Sequence, residues 1–287
     1  MTFILIFLYN DLNIYLVISL IMNEHNLPKV SNEIRKKIIQ IIFKSGKGHL
    51  GGSLSCVDIL VTLLYNKYIY FDPNKNSNSN FILSKGHSAL SLYILLNNLN
   101  LISDDLLFSL NQGSSLGEHP DNQIPGIDLI SGSLGHGLGI GIGKALSNKL
   151  DNDNETTYVL LGDGECNEGS ILEAISYAGK TKLSNIVAII DNNRLGILEN
   201  KFLFNKETDI ELWENFGWHA NIVDGHNITE MDLTLKTFDN NIDKPKVLIA
   251  NTIKGKGVSF MENDRNWHHG SLTEALYKKA MSELNEN

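Results

Sequence analysis

The stretch Tyr158-Val-Leu-Leu-Gly162-Asp163-Gly164-Glu-Cys-Asn-Glu168-Gly-Ser-Ile-Leu-Glu173-Ala-Ile-Ser-Tyr-Ala-Gly-Lys180-Thr-Lys-Leu-Ser-Asn-Ile186-Val-Ala-Ile-Ile190-Asp191-Asn192-Asn193 decides the fold. Its two ends, Tyr158–Leu161 and Ile186–Ile190, are nearly all apolar and do not alternate, the pattern of central strands covered on both faces. Between them Ile171, Leu172, Ala174, Ile175 and Ala178 carry the apolar spacing of a crossover helix from Ser170 to Lys180. A unit of this kind is right-handed with parallel strands. Gly162-Asp163-Gly164 and Asp191-Asn192-Asn193 therefore end on the same carboxyl edge, where open α/β sheets bind ligands. Asp163 and Asn193, 30 positions apart, can converge there. A carboxylate oxygen, an amide oxygen and a nearby main-chain carbonyl are hard ligands of the kind Mg²⁺ or Ca²⁺ accepts. Glycines beside Asp163 let backbone approach a diphosphate with no Cβ in the way. Either tripeptide alone reads as an ordinary turn or helix cap; their joint occurrence, in strand-helix-strand order, favours the metal site.

Outward from this unit, further short aliphatic runs at Phe81–Leu83, Asn221–Val223 and Val247–Ala250 are separated by helix-length segments, which predicts an α/β fold with a central parallel sheet and helices on both faces. Ile34, Ile38, Ile41 and Ile42 predict an amphipathic helix from Ser31 to Phe43. A polar loop from Lys44 to Ser53, carrying four glycines and His49, precedes a predicted apolar helix from Cys56 to Tyr68. Asp72 to Asn80 is rich in turn formers and reads as a linker.

Four short histidine patterns punctuate the chain: Gly48-His49-Leu50-Gly51-Gly52, Leu83-Ser84-Lys85-Gly86-His87, Glu118-His119-Pro120 and His268-His269-Gly270. A single histidine is more often a hydrogen-bonded loop residue than a catalytic one; four in this order, together with the Asp163–Asn193 stretch, resemble the transketolase family. The resemblance implies a thiamine-diphosphate-binding fold over residues 22–287, with thiamine diphosphate held through Mg²⁺ (or Ca²⁺). It assigns Asp163, Asn193 and the main-chain carbonyl of Leu195 to the metal. It assigns His87, Gly132, Leu134, Gly164, Glu168, Glu173, Asn193, Ile197 and His269 to the cofactor or its neighbourhood, Glu168 and Glu173 as carboxylates at the subunit interface. His49, His119 and His269 become the catalytic imidazoles facing a sugar, a role suited to groups that exchange protons near neutral pH. Gly132 and Leu134 sit in Ser131-Gly132-Ser133-Leu134-Gly135-His136-Gly137, similar to the loop that props the cofactor; core packing beside Leu138, Ile142 and Leu146 is the competing reading of Leu134. Because His268 and His269 are adjacent, their roles stay interchangeable at this level, with His269 preferred. The family usually has proline where Leu50 stands, which puts the stiffness of that loop in question.

The resemblance covers nearly all of this sequence but about half of a full-length transketolase, without the pyrimidine-binding domain and its activating glutamate. It thus implies a transferase subunit that moves a two-carbon ketol unit between sugars or sugar phosphates, active only with a C-terminal partner subunit, in a heterotetramer of two copies of each chain. Three other readings stand beside it: the alpha subunit of a 2-oxo acid dehydrogenase, a deoxyxylulose-phosphate synthase-like enzyme, and a catalytically silent scaffold of the same fold. A nicotinamide-binding reading has little support, because the glycines from Gly132 to Gly143 follow no clear strand.

Composition narrows the partners. The 287 residues are 42 % hydrophobic and 20 % charged, with a net charge of −9, which argues against nucleic acid as the main partner. Cys56 and Cys166 are too far apart for a paired-cysteine motif, so a reducing cytoplasm is the simplest expectation. Residues 1–21 are apolar, but Asn10, Asp11 and Asn13 interrupt the run and no basic segment precedes it, so neither a membrane span nor an export signal is expected. They are read as an extension that is disordered or not translated, with translation starting at Met22.

Overall fold

The computed structural model describes residues 26–71, 79–153, 155–195, 209–238 and 243–286. The extension expected over residues 1–21, most of the linker and Ile197 lie outside the described residues. Five parallel strands form one sheet: β1 (Phe81–Leu83), β2 (Thr157–Gly162), β3 (Ile186–Asn192), β4 (His219–Asp224) and β5 (Lys246–Asn251), in the spatial order β1-β2-β3-β5-β4. All five predicted runs are strands, each within a residue or two of its expected ends, and β3 is the central one.

Alternation along the strands shows why those runs are apolar throughout. Tyr158, Leu160, Val187, Ile189, Leu248 and Ala250 enter one hydrophobic cluster, while Val159, Leu161, Ile186, Ala188, Ile190, Val247 and Ile249 enter another on the opposite face. Both faces are dry, so neither set of alternate positions can be polar. Each Ile or Leu fully buried here stabilises the fold by roughly 1.5–3 kcal/mol.

The first cluster is closed by α1 (Leu27–Ser45), α3 (Val57–Tyr65), α4 (Ala89–Asn98), α9 (Ile228–Thr237) and α10 (Glu274–Glu286); these follow a numbering that includes α2 (Leu50–Ser55), α5 (Asp104–Leu107), α6 (Gly137–Leu150), α7 (Gly169–Lys180) and α8 (Asp209–Asn215). The second is closed by α6, α7 and Trp213 of α8. Helix α1 is longer than its apolar period suggests. Asn26 caps its first turn, and the N–H of Gly46, in the left-handed region at φ +86°, caps Ile42 O at 3.0 Å.

The expected loop from Lys44 to Ser53 is corrected: α2 begins at Leu50, and the helix expected from Cys56 to Tyr68 runs only over α3. The glycines that suggested a loop serve packing instead. A Cβ on Gly52 would lie 2.8 Å from Nε2 of His87, so this turn of helix can pass against the imidazole only without a side chain.

Register sets the site. Gly162 of β2 is level with Asp191 of β3, and Asn192 of β3 with Asn251 of β5, so the segments that follow each strand open together on the carboxyl edge. No strand precedes Gly132–Gly143, and no helix among the described residues is long and apolar enough to cross a membrane.

Candidate active site

At the tip of β2 the Asp163 carboxylate accepts hydrogen bonds from Gly164 N at 2.7 Å and from Arg194 N. The second bond seats it against the segment that leaves β3. Arg194 holds a left-handed φ of +61°, a conformation uncommon for a side chain of its size, and directly after it Leu195 N donates to Asn193 Oδ1 at 3.2 Å. Asp163, Asn193 and the Leu195 carbonyl are thus gathered at adjacent tips. Burial, then the nearby Asp191 carboxylate, pushes the Asp163 carboxyl up from the usual carboxylate range. Such an acid is short of positive charge, and its neighbours offer only hard oxygen donors. That donor set fits Mg²⁺ or Ca²⁺ rather than a thiophilic metal.

Beneath the tips lies a buried ion pair that the sequence did not reveal. Lys85, with Nζ paired to Asp191 Oδ2, also donates to Gly52 O at 3.1 Å, while Ser55 Oγ donates to the same carboxylate at 2.6 Å and Thr252 Oγ1 adds a further bond. Both charged groups are fully buried. Burial alone would pull the Lys85 ammonium down, but the Asp191 carboxylate holds it up; reciprocally, despite burial, Lys85 holds Asp191 below its usual range. Asp191 also accepts from Asn193 Nδ2 at 3.4 Å, so the pair helps orient the amide at the metal position.

Glu165, 2 % exposed, plays a similar role one loop away. Its Oε1 accepts from Ser84 Oγ at 2.5 Å and Gly135 N at 2.8 Å, and its Oε2 from Gly162 N at 3.2 Å. This carboxylate fastens the Ser131–Gly137 loop to β1 and β2, while Ser131 Oγ adds a bond to Leu83 O at 2.8 Å. Within that loop Gly132 and Leu134 are exposed, Leu134 at 38 %, so the core-packing reading of Leu134 does not hold. Glu168 and Glu173 are likewise exposed, at the start and on the outer side of α7. Gly164 is half-buried beside Asp163.

The histidines converge although they come from four distant segments. Around His49, ring centroids lie at 5.6 Å for His87, 5.6 Å for His119, 5.4 Å for His268 and 4.7 Å for His269. The two adjacent histidines divide. His268 stands 5.1 Å from His87, with its Nδ1 3.0 Å from Lys254 Nζ, whereas His269 turns to Glu118, its Nε2 2.9 Å from Oε2. Lys254, buried, also donates to the Leu195 carbonyl at 2.6 Å, which links the imidazoles to the metal-side tips. Burial first, then neighbouring positive groups, lowers His268 to about 3 and His87 well below the usual imidazole range. Burial likewise lowers His49 to about 4, against the opposing pull of Glu118. Lys254 is lowered to about 8 by burial and by Lys85.

Glu118, Glu165, Lys85, Asp191 and Lys254 are site residues to which the sequence reading gave no role. Lys85, Glu118 and Lys254 stand inside motifs singled out for their neighbours.

Comparison with known proteins agrees with this geometry. The family described as transketolase, thiamine diphosphate binding domain, matches residues 28–285. One of the two kinds of chain that make up the apulose-4-phosphate transketolase of Phocaeicola vulgatus is 39 % identical over 269 residues, 92 % of this chain and 96 % of that one. The 6-deoxy-6-sulfo-D-fructose transketolase subunit SqwG of a Clostridium species is 37 % identical, over 90 % of this chain and 96 % of its own. The human transketolase is 36 % identical over 90 % of this chain but 42 % of its own length. Among solved structures, the Campylobacter jejuni transketolase superposes with a TM-score of 0.79 at 27 % identity, covering 90 % of this chain and 42 % of that one. A five-stranded parallel sheet with the tip residues and histidines in place, matched from end to end by subunits of this kind, makes the chain a member of the transketolase family, with its thiamine-diphosphate-binding domain.

Proposed function

We propose that this chain is the diphosphate-holding subunit of a split transketolase that transfers a two-carbon ketol unit from a ketose or its phosphate to an aldose or its phosphate, together with a separate chain bearing the pyrimidine-binding domain. The observation that carries the reading is the meeting of five imidazoles beside Asp163, Asn193 and Leu195 on one sheet edge.

Asp163, the Asn193 amide oxygen and the Leu195 carbonyl hold Mg²⁺. His87, His268 and Lys254 line the adjoining pocket, where their donors suit diphosphate oxygens. Bound thiamine diphosphate supplies the nucleophilic carbon that carries the two-carbon unit. His49, His119 and His269 face the sugar and exchange protons with its hydroxyls. The low imidazole values belong to a pocket crowded with ammonium and imidazole groups; with the diphosphate anion beside them they rise toward neutrality, where such exchange is efficient.

Two features support a partner. Relatives whose names make them one subunit of a transketolase are covered to 96 % of their length, and exposed Ile130, Leu134, Ile140 and Tyr177 lie around the exposed Glu168 and Glu173 on the α6 and α7 side of the sheet. A heterotetramer of two copies of each chain buries that side, and a cytoplasmic location accords with two unpaired thiols.

Titration calorimetry with thiamine diphosphate in the presence of Mg²⁺ tests the reading. The native chain binds, and Asp163→Ala loses Mg²⁺-dependent binding; near-normal binding by that variant would overturn the assignment.

A further inference from the structure

We propose that His49, Glu118 and His269 form a second metal site, for a borderline transition-metal cation of the Zn²⁺ class, at the exposed rim of the histidine pocket and distinct from the oxygen site at Asp163. One ligand atom from each residue lies within 4.8 Å of the other two. His49 Nδ1 and His269 Nε2 both point at a single carboxylate oxygen, Glu118 Oε2, each at 2.9 Å. Tetrahedral Zn²⁺, with bonds of about 2.0–2.2 Å, sets its ligand atoms roughly 3.3 Å apart. Two of the three separations are already near that value, and His269, 40 % exposed in its side chain, is free to close the third.

Two further observations favour a cation here. The His49 Nδ1 atom is buried and, although near Glu118, is not aligned for a hydrogen bond, so its lone pair has no partner. At neutral pH His49 is uncharged, as a metal ligand must be, because burial lowers its imidazole to about 4. Glu118 is itself positioned, its Oε1 accepting from Asn111 Nδ2 at 3.2 Å. The three residues come from segments 69 and 151 positions apart, counting from 49 to 118 and from 118 to 269, so only the folded chain assembles them.

Ligand chemistry separates the two sites. Two imidazoles and a carboxylate select Zn²⁺, Ni²⁺ or Cu²⁺ over Mg²⁺, whereas Asp163, Asn193 and Leu195 offer oxygen alone. An ion at the rim would sit on imidazoles assigned above to the sugar and so antagonise it; that consequence rests on the proposed function, and the binding itself does not.

The test is calorimetry of the full chain with ZnSO₄ in excess Mg²⁺, with Co²⁺ absorption in the visible range as a readout of coordination. One equivalent is expected to bind; Glu118→Gln and His269→Ala each weaken it at least 10-fold and bleach the Co²⁺ bands, while Asp163→Ala leaves it unchanged. Circular dichroism of each variant checks that the fold is kept, and the near-isosteric Glu118→Gln decides should His269→Ala unfold. No stoichiometric Zn²⁺ binding, binding indifferent to Glu118→Gln, or binding lost in Asp163→Ala would each sink the proposal.

Discussion

At Gly86 a Cβ would lie 1.7 Å from the carbonyl oxygen of Ser131, a clash with backbone that no rotamer relieves. The contact is where the Ser131–Gly137 loop crosses the β1 tip. Gly86→Ala is therefore expected to cost about 3 kcal/mol, at or beyond the usual overpacking range, seen as a lower urea midpoint. Gly139, on the exposed side of α6 with nothing within 4 Å, makes the contrast. Gly139→Ala should stabilise the isolated chain by about 0.5–1 kcal/mol, because alanine loses less backbone entropy in a helix. At this scale Asp163 and Asn193 were legible in the sequence, since their spacing alone puts them at neighbouring tips. Glu165 and Asp191 were not. Their partners Ser84 and Lys85 lie 81 and 106 positions away, and a carboxylate whose partner is so distant looks in sequence like any turn residue. The division of His268 from His269 was equally hidden, because it depends on where Lys254 and Glu118 stand.

Elements are held to one another by a second buried charge network on the opposite side from the metal-side tips. Arg35 of α1 meets Asp58 of α3 at 2.5 Å; His226, in the turn between β4 and α9, reaches the same carboxylate through Nδ1 at 2.7 Å and accepts Ile253 N at Nε2, 2.8 Å. The network thus spans two helices, the β4 turn and the residue just before Lys254. Asp58 is held far below the usual carboxylate range, burial being outweighed by the bonds from His226 and Arg35. Asp58→Ala strands the Arg35 guanidinium in the interior and should cost about 3–5 kcal/mol by urea denaturation, with Asp58→Asn between it and the native chain. Strands were the most legible elements, because a sheet covered on both faces has to be apolar at every position. Helix α2 was the least: Gly51 and Gly52 argue for a loop on propensity, and only the closeness of Lys254 and His87 explains glycine inside a helix there.

For the whole molecule, the histidine pocket makes stability depend on pH in a way that one substitution can isolate. His268 is lowered from the ordinary imidazole value to about 3, by burial first and the Lys254 ammonium next. Its folded value lies below its unfolded one, so below pH ~6.5 the unfolded chain binds the proton more readily and stability falls as pH is lowered toward 3. Asp163 and Glu165, both raised by burial, act in the opposite sense, since the folded chain takes up their protons first. The net slope of the native chain is therefore a poor probe. The comparison with His268→Asn cancels the carboxylates, which titrate in both proteins, and leaves the imidazole. Measured by urea midpoints without cofactor, the variant should gain on the native chain between pH 7 and pH 5; a constant difference across that window would mean that His268 titrates as a solvated imidazole. Adding Mg²⁺ and thiamine diphosphate should shrink the gain, because an anion seated beside His268 and Lys254 raises the imidazole back toward its unfolded value and removes the imbalance from which the gain arises.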